Sequence, residues 1–171
     1  THFDGDHVTG NVDAIFAAND DLVTGVVIEA LADRVEVVWI GTTYQDEYYF
    51  QYYPLGYKVI LFDDGRVQWK FFDMAYDDYD CDLFSGLYDE VGNLEYEIPA
   101  GSTSFTGRAV NKAFEFDPNS PGISAIAWDG ADASAAGDDE DVEYALPFTF
   151  PYFGRDITTI NVNTNGLIEL M

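Results

Sequence analysis

The stretch Tyr57-Lys58-Val59-Ile60-Leu61-Phe62, then Asp63-Asp64-Gly65-Arg66, then Val67-Gln68-Trp69-Lys70-Phe71-Phe72, decides the fold class. Both arms are rich in β-branched and aromatic residues, which suit a pleated, half-buried surface. Between them an Asp-Gly pair offers the positive φ that a tight hairpin turn requires. Upstream, Val35, Val37 and Trp39 fall on one face of a strand over 34–40, with Glu36 and Val38 on the other. Apolar residues nowhere recur at i, i+3, i+4 and i+7 over a sustained run, so no long amphipathic helix is expected.

Working outward, further short strands are expected at 12–17, at 26–31, on either side of Val91-Gly92-Asn93, and within 101–116. Three more follow at 144–150, 157–163 and 166–170, joined by Pro151-Tyr152-Phe153-Gly154 and Asn163-Thr164-Asn165-Gly166. About ten short strands with regular turn signals predict an antiparallel β-sandwich. Pro118-Asn119-Ser120-Pro121-Gly122 and the small, acidic run 131–141 punctuate the chain. The expected organisation is a main sandwich body over 1–120, an acidic flexible linker over 121–141, and strands over 142–171 that complete this sandwich or a neighbour's.

Charge narrows the function classes. Of 171 residues, 32 are Asp or Glu and seven are Lys or Arg, a formal net charge of −25. Nucleic acid is disfavoured as a partner, since its phosphates must be neutralised by cations, and an anionic membrane surface is disfavoured for the same reason. An apolar fraction of 47%, with 12 Tyr and 13 Phe, separates the chain from disordered acidic tails. The chain opens on Thr1 rather than Met, Cys81 is its single cysteine, and no Asn-x-Ser/Thr sequon is present. The expectation is a processed chain, secreted to the extracellular space or cell surface, without an internal disulfide.

Candidate chemistry is sparse. His2 and His7 are the only histidines, and no Gly-x-Ser-x-Gly elbow or phosphate-cradling glycine loop occurs, so catalysis is not expected. His2, Asp4, Asp6 and His7 place four potential metal ligands within six residues, a set that suits a transition metal if it is not simply a polar loop. Asp77, Asp78, Asp80 and Asp82 form one carboxylate cluster, and Asp138, Asp139 and Asp141, beside Glu140, form another. Hard oxygen ligands suit Ca²⁺, the one cofactor expected, although neither cluster has the twelve-residue loop with a central glycine. Tyr44, Tyr48, Tyr49, Tyr52, Tyr53 and Tyr57 read either as a contact surface or as alternating core and sheet face. Lys58, Lys70 and Lys112 lie in apolar strands, where buried salt bridges or snorkelling are expected ahead of a Lys–Asn isopeptide bond.

Leu146-Pro-Phe-Thr-Phe-Pro-Tyr-Phe-Gly154, followed by Ile160-Asn-Val-Asn-Thr-Asn-Gly166, resembles the opening of nidogen-like extracellular domains. Val12–Asp20, Val35–Trp39, Val59–Phe72, Ser85–Leu87 and Leu94–Tyr96 resemble the later strands of the same family. Here the two halves stand in swapped order, as in a circular permutation or a cut out of phase through repeats. The resemblance implies an extracellular structural or adhesive protein. With the swap, it leads to the expectation of a filament, in which the last strands complete the next copy through a head-to-tail contact. The contact residues expected are Phe148, Phe150, Ile157, Ile160, Val162, Leu167 and Ile168, with Tyr48 and Tyr52. Partners are then copies of the chain or another surface protein. The alternative is a self-closed, calcium-stabilised module that binds a protein or glycan, and a hydrolase is the third reading.

Overall fold

The computed structural model describes residues 13–16, 22–44, 52–74, 86–88, 94–98, 112–127, 141–163 and 166–171, some of them by their backbone alone. They form twelve strands: β1 (Asp13–Phe16), β2 (Leu22–Ala30), β3 (Arg34–Tyr44), β4 (Tyr52–Phe62), β5 (Val67–Met74), β6 (Gly86–Tyr88), β7 (Leu94–Glu97), β8 (Lys112–Asp117), β9 (Ser120–Ile126), β10 (Asp141–Tyr152), β11 (Arg155–Asn163) and β12 (Leu167–Leu170). Every strand pairing is antiparallel. The central sheet has the order β2-β3-β4-β5-β8-β9, and the terminal sheet has the order β10-β11-β12-β1-β6-β7. The chain is all-β and its sheets form a sandwich, as the alternation predicts.

The β4–β5 hairpin turns as its residues dictate. Gly65 N–H donates to the Phe62 carbonyl at 3.0 Å, and Phe62 N–H donates to the Arg66 carbonyl at 3.0 Å. Gly65 holds φ +88°, so the loop is a tight turn closed by a left-handed glycine. A Cβ here would meet Pro151 Cγ and the Pro151 carbonyl at 3.1 Å, so this glycine also admits the β10–β11 hairpin.

Side-chain parity builds the core. Val35, Val37, Trp39, Tyr57, Val59, Leu61, Val67, Trp69 and Phe71 project from one face of the central sheet and are 0–1% exposed. They pack with Ile15, Leu87, Phe150, Ile157, Ile160, Val162, Ile168 and Leu170 of the terminal sheet. Each such side chain contributes about 1.5–3 kcal/mol by leaving water. β11 runs obliquely across the central sheet. Its Asn163 end accepts a hydrogen bond from Trp39 Nε1 of β3 at 2.9 Å, while near its other end Phe153 meets Phe116 of β8.

One expectation is corrected. The linker over 121–141 is shorter, because Ser120–Ile126 is the strand β9, turned back on β8 at Pro118-Asn119. Pro54 lies within β4, opposite Thr42. The β4–β5 ladder begins only at Leu55, so Pro54 sits just outside it, where a strand tolerates a missing N–H. Of the two closures that the sequence leaves open for the last strands, the single chain shows the first: β12 pairs with β1 from Asp13↔Leu170 to Phe16↔Leu167.

Candidate functional site

The most informative place in the molecule is the joint between β10–β12 and the rest of the fold. These three strands are consecutive in sequence and adjacent in the terminal sheet, and one four-residue ladder, β12 on β1, ties them to the remaining strands of that sheet. Main-chain pairing sets the register, and alternate side chains fill the core. From β12, Ile168 and Leu170 point inward, and from β1 Ile15 stands opposite Ile168. On the outer side, Asn161 Nδ2 donates to Glu169 Oε2 at 3.0 Å across the registered pair Asn161↔Glu169.

The far end of the β10–β11 hairpin is held by aromatics. Between Ala145↔Thr159 and Phe150↔Ile157 the register shifts, so that β10 carries extra residues and swings the hairpin tip across the sandwich. There Phe153 takes φ +43° and Gly154 φ +82°. Two successive positive φ values make the primed turn that suits hairpins, but Phe is a costly occupant of the first position. The ring, 45% exposed, nevertheless meets three other aromatics. The Phe153 ring stacks on Tyr96 of β7 with 8° between planes and meets Tyr152 edge-on at 4.6 Å. Tyr96 and Phe116 lie 4.9 Å apart, and the Tyr152 hydroxyl donates to the Tyr88 carbonyl of β6 at 2.9 Å. The tip thus clamps β10–β12 onto β6, β7 and β8.

Cations gather elsewhere, on the outer face of the central sheet. Arg34, Lys58, Arg66 and Lys70 all lie there, four of the chain's seven basic residues. Lys58 and Lys70 are directly opposite each other and are 9% and 5% exposed. Glu36 lies between two of the cations, 2.7 Å from Lys58 Nζ and 2.8 Å from Arg34 Nε. Burial pushes the Glu36 carboxyl up, but hydrogen bonds from Lys58 and Arg34 outweigh it and hold the group below its ordinary value. A second network joins Arg66 and Gln68 to Glu115.

Of the expected contact residues, Phe150, Ile157, Ile160, Val162 and Ile168 are buried in the chain's own core, and Phe148 packs against it half-buried. Leu167 is half-buried in β12. The buried five belong to the face of the terminal sheet that meets the central one, whereas Leu167 alternates with the inward Ile168 and Leu170. Tyr52 begins β4 opposite Tyr44, and Tyr48 lies outside the described residues. Tyr57, by contrast, is core, stacked on Trp39 at 5.1 Å. His2, Asp4, Asp6, His7, Asp77, Asp78, Asp80, Asp82, Asp138 and Asp139 lie outside the described residues, as does Cys81. Asp141 opens β10 opposite Asn163. Among the described residues no three His, Cys, Asp or Glu side chains are grouped to hold a metal.

Sequence reading did not find the Trp39–Asn163 bond or the clamp around Phe153. Both join residues far apart in the chain, and the only local signal was an aromatic, Phe153, in a place where a turn usually carries Asn or Asp. No family model, curated protein or solved structure matches the chain.

Proposed function

We propose that the chain is an extracellular structural or adhesive module, and that copies of it join by exchanging the β10–β12 unit. The observation that carries this reading is the β12·β1 ladder. A contiguous run of strands, tethered by the segment after β9, docks into the fold through main-chain pairing and apolar pockets. A copy that received this unit from a neighbour would make the same contacts at the same register, so exchange costs no burial; the tether alone decides which partner is filled. Head-to-tail exchange does not close on itself and grows into a filament. The nidogen-like motifs, in swapped order, support the extracellular assignment, and the acidic runs support calcium as the ion that shields and stabilises the assembly.

The test is a cross-link across the joint. In a Cys81→Ser background, Ala14→Cys with Glu169→Cys places one thiol on each residue of a registered pair. After oxidation, a ladder of covalent multimers on a non-reducing gel supports exchange, and filaments in electron micrographs, lost on chelation, support the calcium role. Cross-linking confined to single chains, with a mass near 19.1 kDa by light scattering in calcium and in chelator, overturns the exchange reading.

A further inference from the structure

We infer that the edge strand β2 is a second contact surface, at which two copies of the chain pair antiparallel about a two-fold axis through Ile28. Exposed strand edges template further pairing, and proteins guard them with charge, proline, bulges or brevity. Three of the four sheet edges here are guarded. β7 has four residues and is bulged against β6. β9 contains Pro121 and holds Gly122 at φ +134°. β10 carries Asp141, Glu143, Pro147 and a register shift. In β2, nine residues run in unbroken register with β3, from Leu22↔Thr43 to Ala30↔Val35, with no proline and one charge, Glu29. Among the described residues nothing pairs with its outer edge, and Val27, Glu29 and Ala30 are exposed.

The sequence of that edge selects a second copy as the occupant. With Ile28 facing Ile28, Val27 of each copy stands opposite Glu29 of the other, and Val26 stands opposite Ala30. No like charges are directly opposed, which would be the main penalty in a cross-strand pair. Val26 and Ile28 already pack against the core, so the pairing continues the apolar face of the central sheet from one copy into the next. Val142, one of the few exposed large apolar side chains among the described residues, lies on the same side of the sandwich, since β10 pairs with the Asn163 end of β11 and that end is bonded to Trp39 of β3. At −25 per chain, the two copies repel until salt screens them.

The experiment is light scattering of the full chain in chelator, which removes the calcium-dependent filaments, at low salt and at about 1 M NaCl, where the Debye length falls to ~3 Å. The expected mass at high salt is twice the 19.1 kDa of the chain. Val27→Lys puts a charge on the edge and is expected to give a monomer at both salts, with an unchanged far-ultraviolet circular dichroism spectrum. Ser124→Lys, on the opposite edge of the same sheet, is expected to leave the dimer intact. In the Cys81→Ser background, Ile28→Cys is expected to yield a covalent dimer on mild oxidation, and Ser124→Cys is not. A wild-type monomer at high salt, a Val27→Lys protein that dimerises unchanged, or equal cross-linking at 28 and 124 overturns the inference. Val27 lies in the sheet that does not contain the β12·β1 ladder, so an oligomer that survives Val27→Lys but is lost when residues 14 and 169 are locked within one chain belongs to strand exchange instead.

Discussion

Glu36 shows how a single carboxylate is put to use in a chain with so many. Lys58 is 9% exposed, and the side chain that balances it is Glu36 at 2.7 Å. Because the folded Glu36 carboxyl lies below its ordinary value of 4.5, its contribution to stability is full above that pH and is lost as pH falls through the lower, folded value. Glu36→Gln is therefore expected to cost about 1–3 kcal/mol at pH 7, and to lose less further stability than wild type between pH 7 and pH 3. Urea unfolding at the two pH values checks both statements; an equal acid loss in the two proteins would count against the pairing. Gly65 is the second such residue. Gly65→Ala meets both the left-handed φ and the Pro151 contact at 3.1 Å, so a loss of about 1–3 kcal/mol is expected, read as a lower urea midpoint with an unchanged slope.

At the scale of the element, strands were legible wherever alternation was strict and turns carried glycine. The β4–β5 hairpin, β3 and the three C-terminal strands lie where the sequence places them, but β4 begins at Tyr52 rather than Tyr57, β3 runs on to Tyr44 and β10 spans Asp141–Tyr152. The strand Ser120–Ile126 was read as linker because proline was taken as a break. Pro54 and Pro121 both lie inside strands, one just beyond a ladder and one on an edge, where the missing N–H is harmless. The joint was legible only in part. Phe150, Ile157, Ile160, Val162 and Ile168 were legible as apolar residues needing cover, but Ile157 and Ile160, three apart, share the buried face only across the β10–β11 register shift, and nothing local in the sequence says that β1 pairs with β12. That pairing gives its own prediction. Ile15 is fully buried opposite Ile168, so Ile15→Ala is expected to cost about 2–5 kcal/mol. Hydrogen exchange should show the β10–β12 amides losing protection more than those of β3–β5.

Over the whole molecule, charge is unevenly spread. Four of seven cations lie on one sheet face, and with 32 acidic residues against those seven the folded state strains against its own field. At 0.01 M salt the Debye length is ~30 Å, comparable with a domain, and at 0.15 M it is ~8 Å. The melting temperature is therefore expected to rise steeply with NaCl over that range and to level off above it. A flat response would show that the acids are already balanced within the fold.

The pairing of the chain's first described strand with its last also governs the order of assembly. The strands of the central sheet come from residues 22–126, so its hairpins form from neighbours in sequence and can do so while the chain is still emerging. β1, at 13–16, must wait for residues 167–170 before its ladder to β12 exists, and contacts so distant along the chain form slowly. During synthesis the apolar face of Val35, Val37, Val59, Leu61 and Trp69 is thus complete before most of the strands that cover it have been made. A nascent chain spends that interval with half a core open to water, at risk of coalescing with its neighbours on the same message.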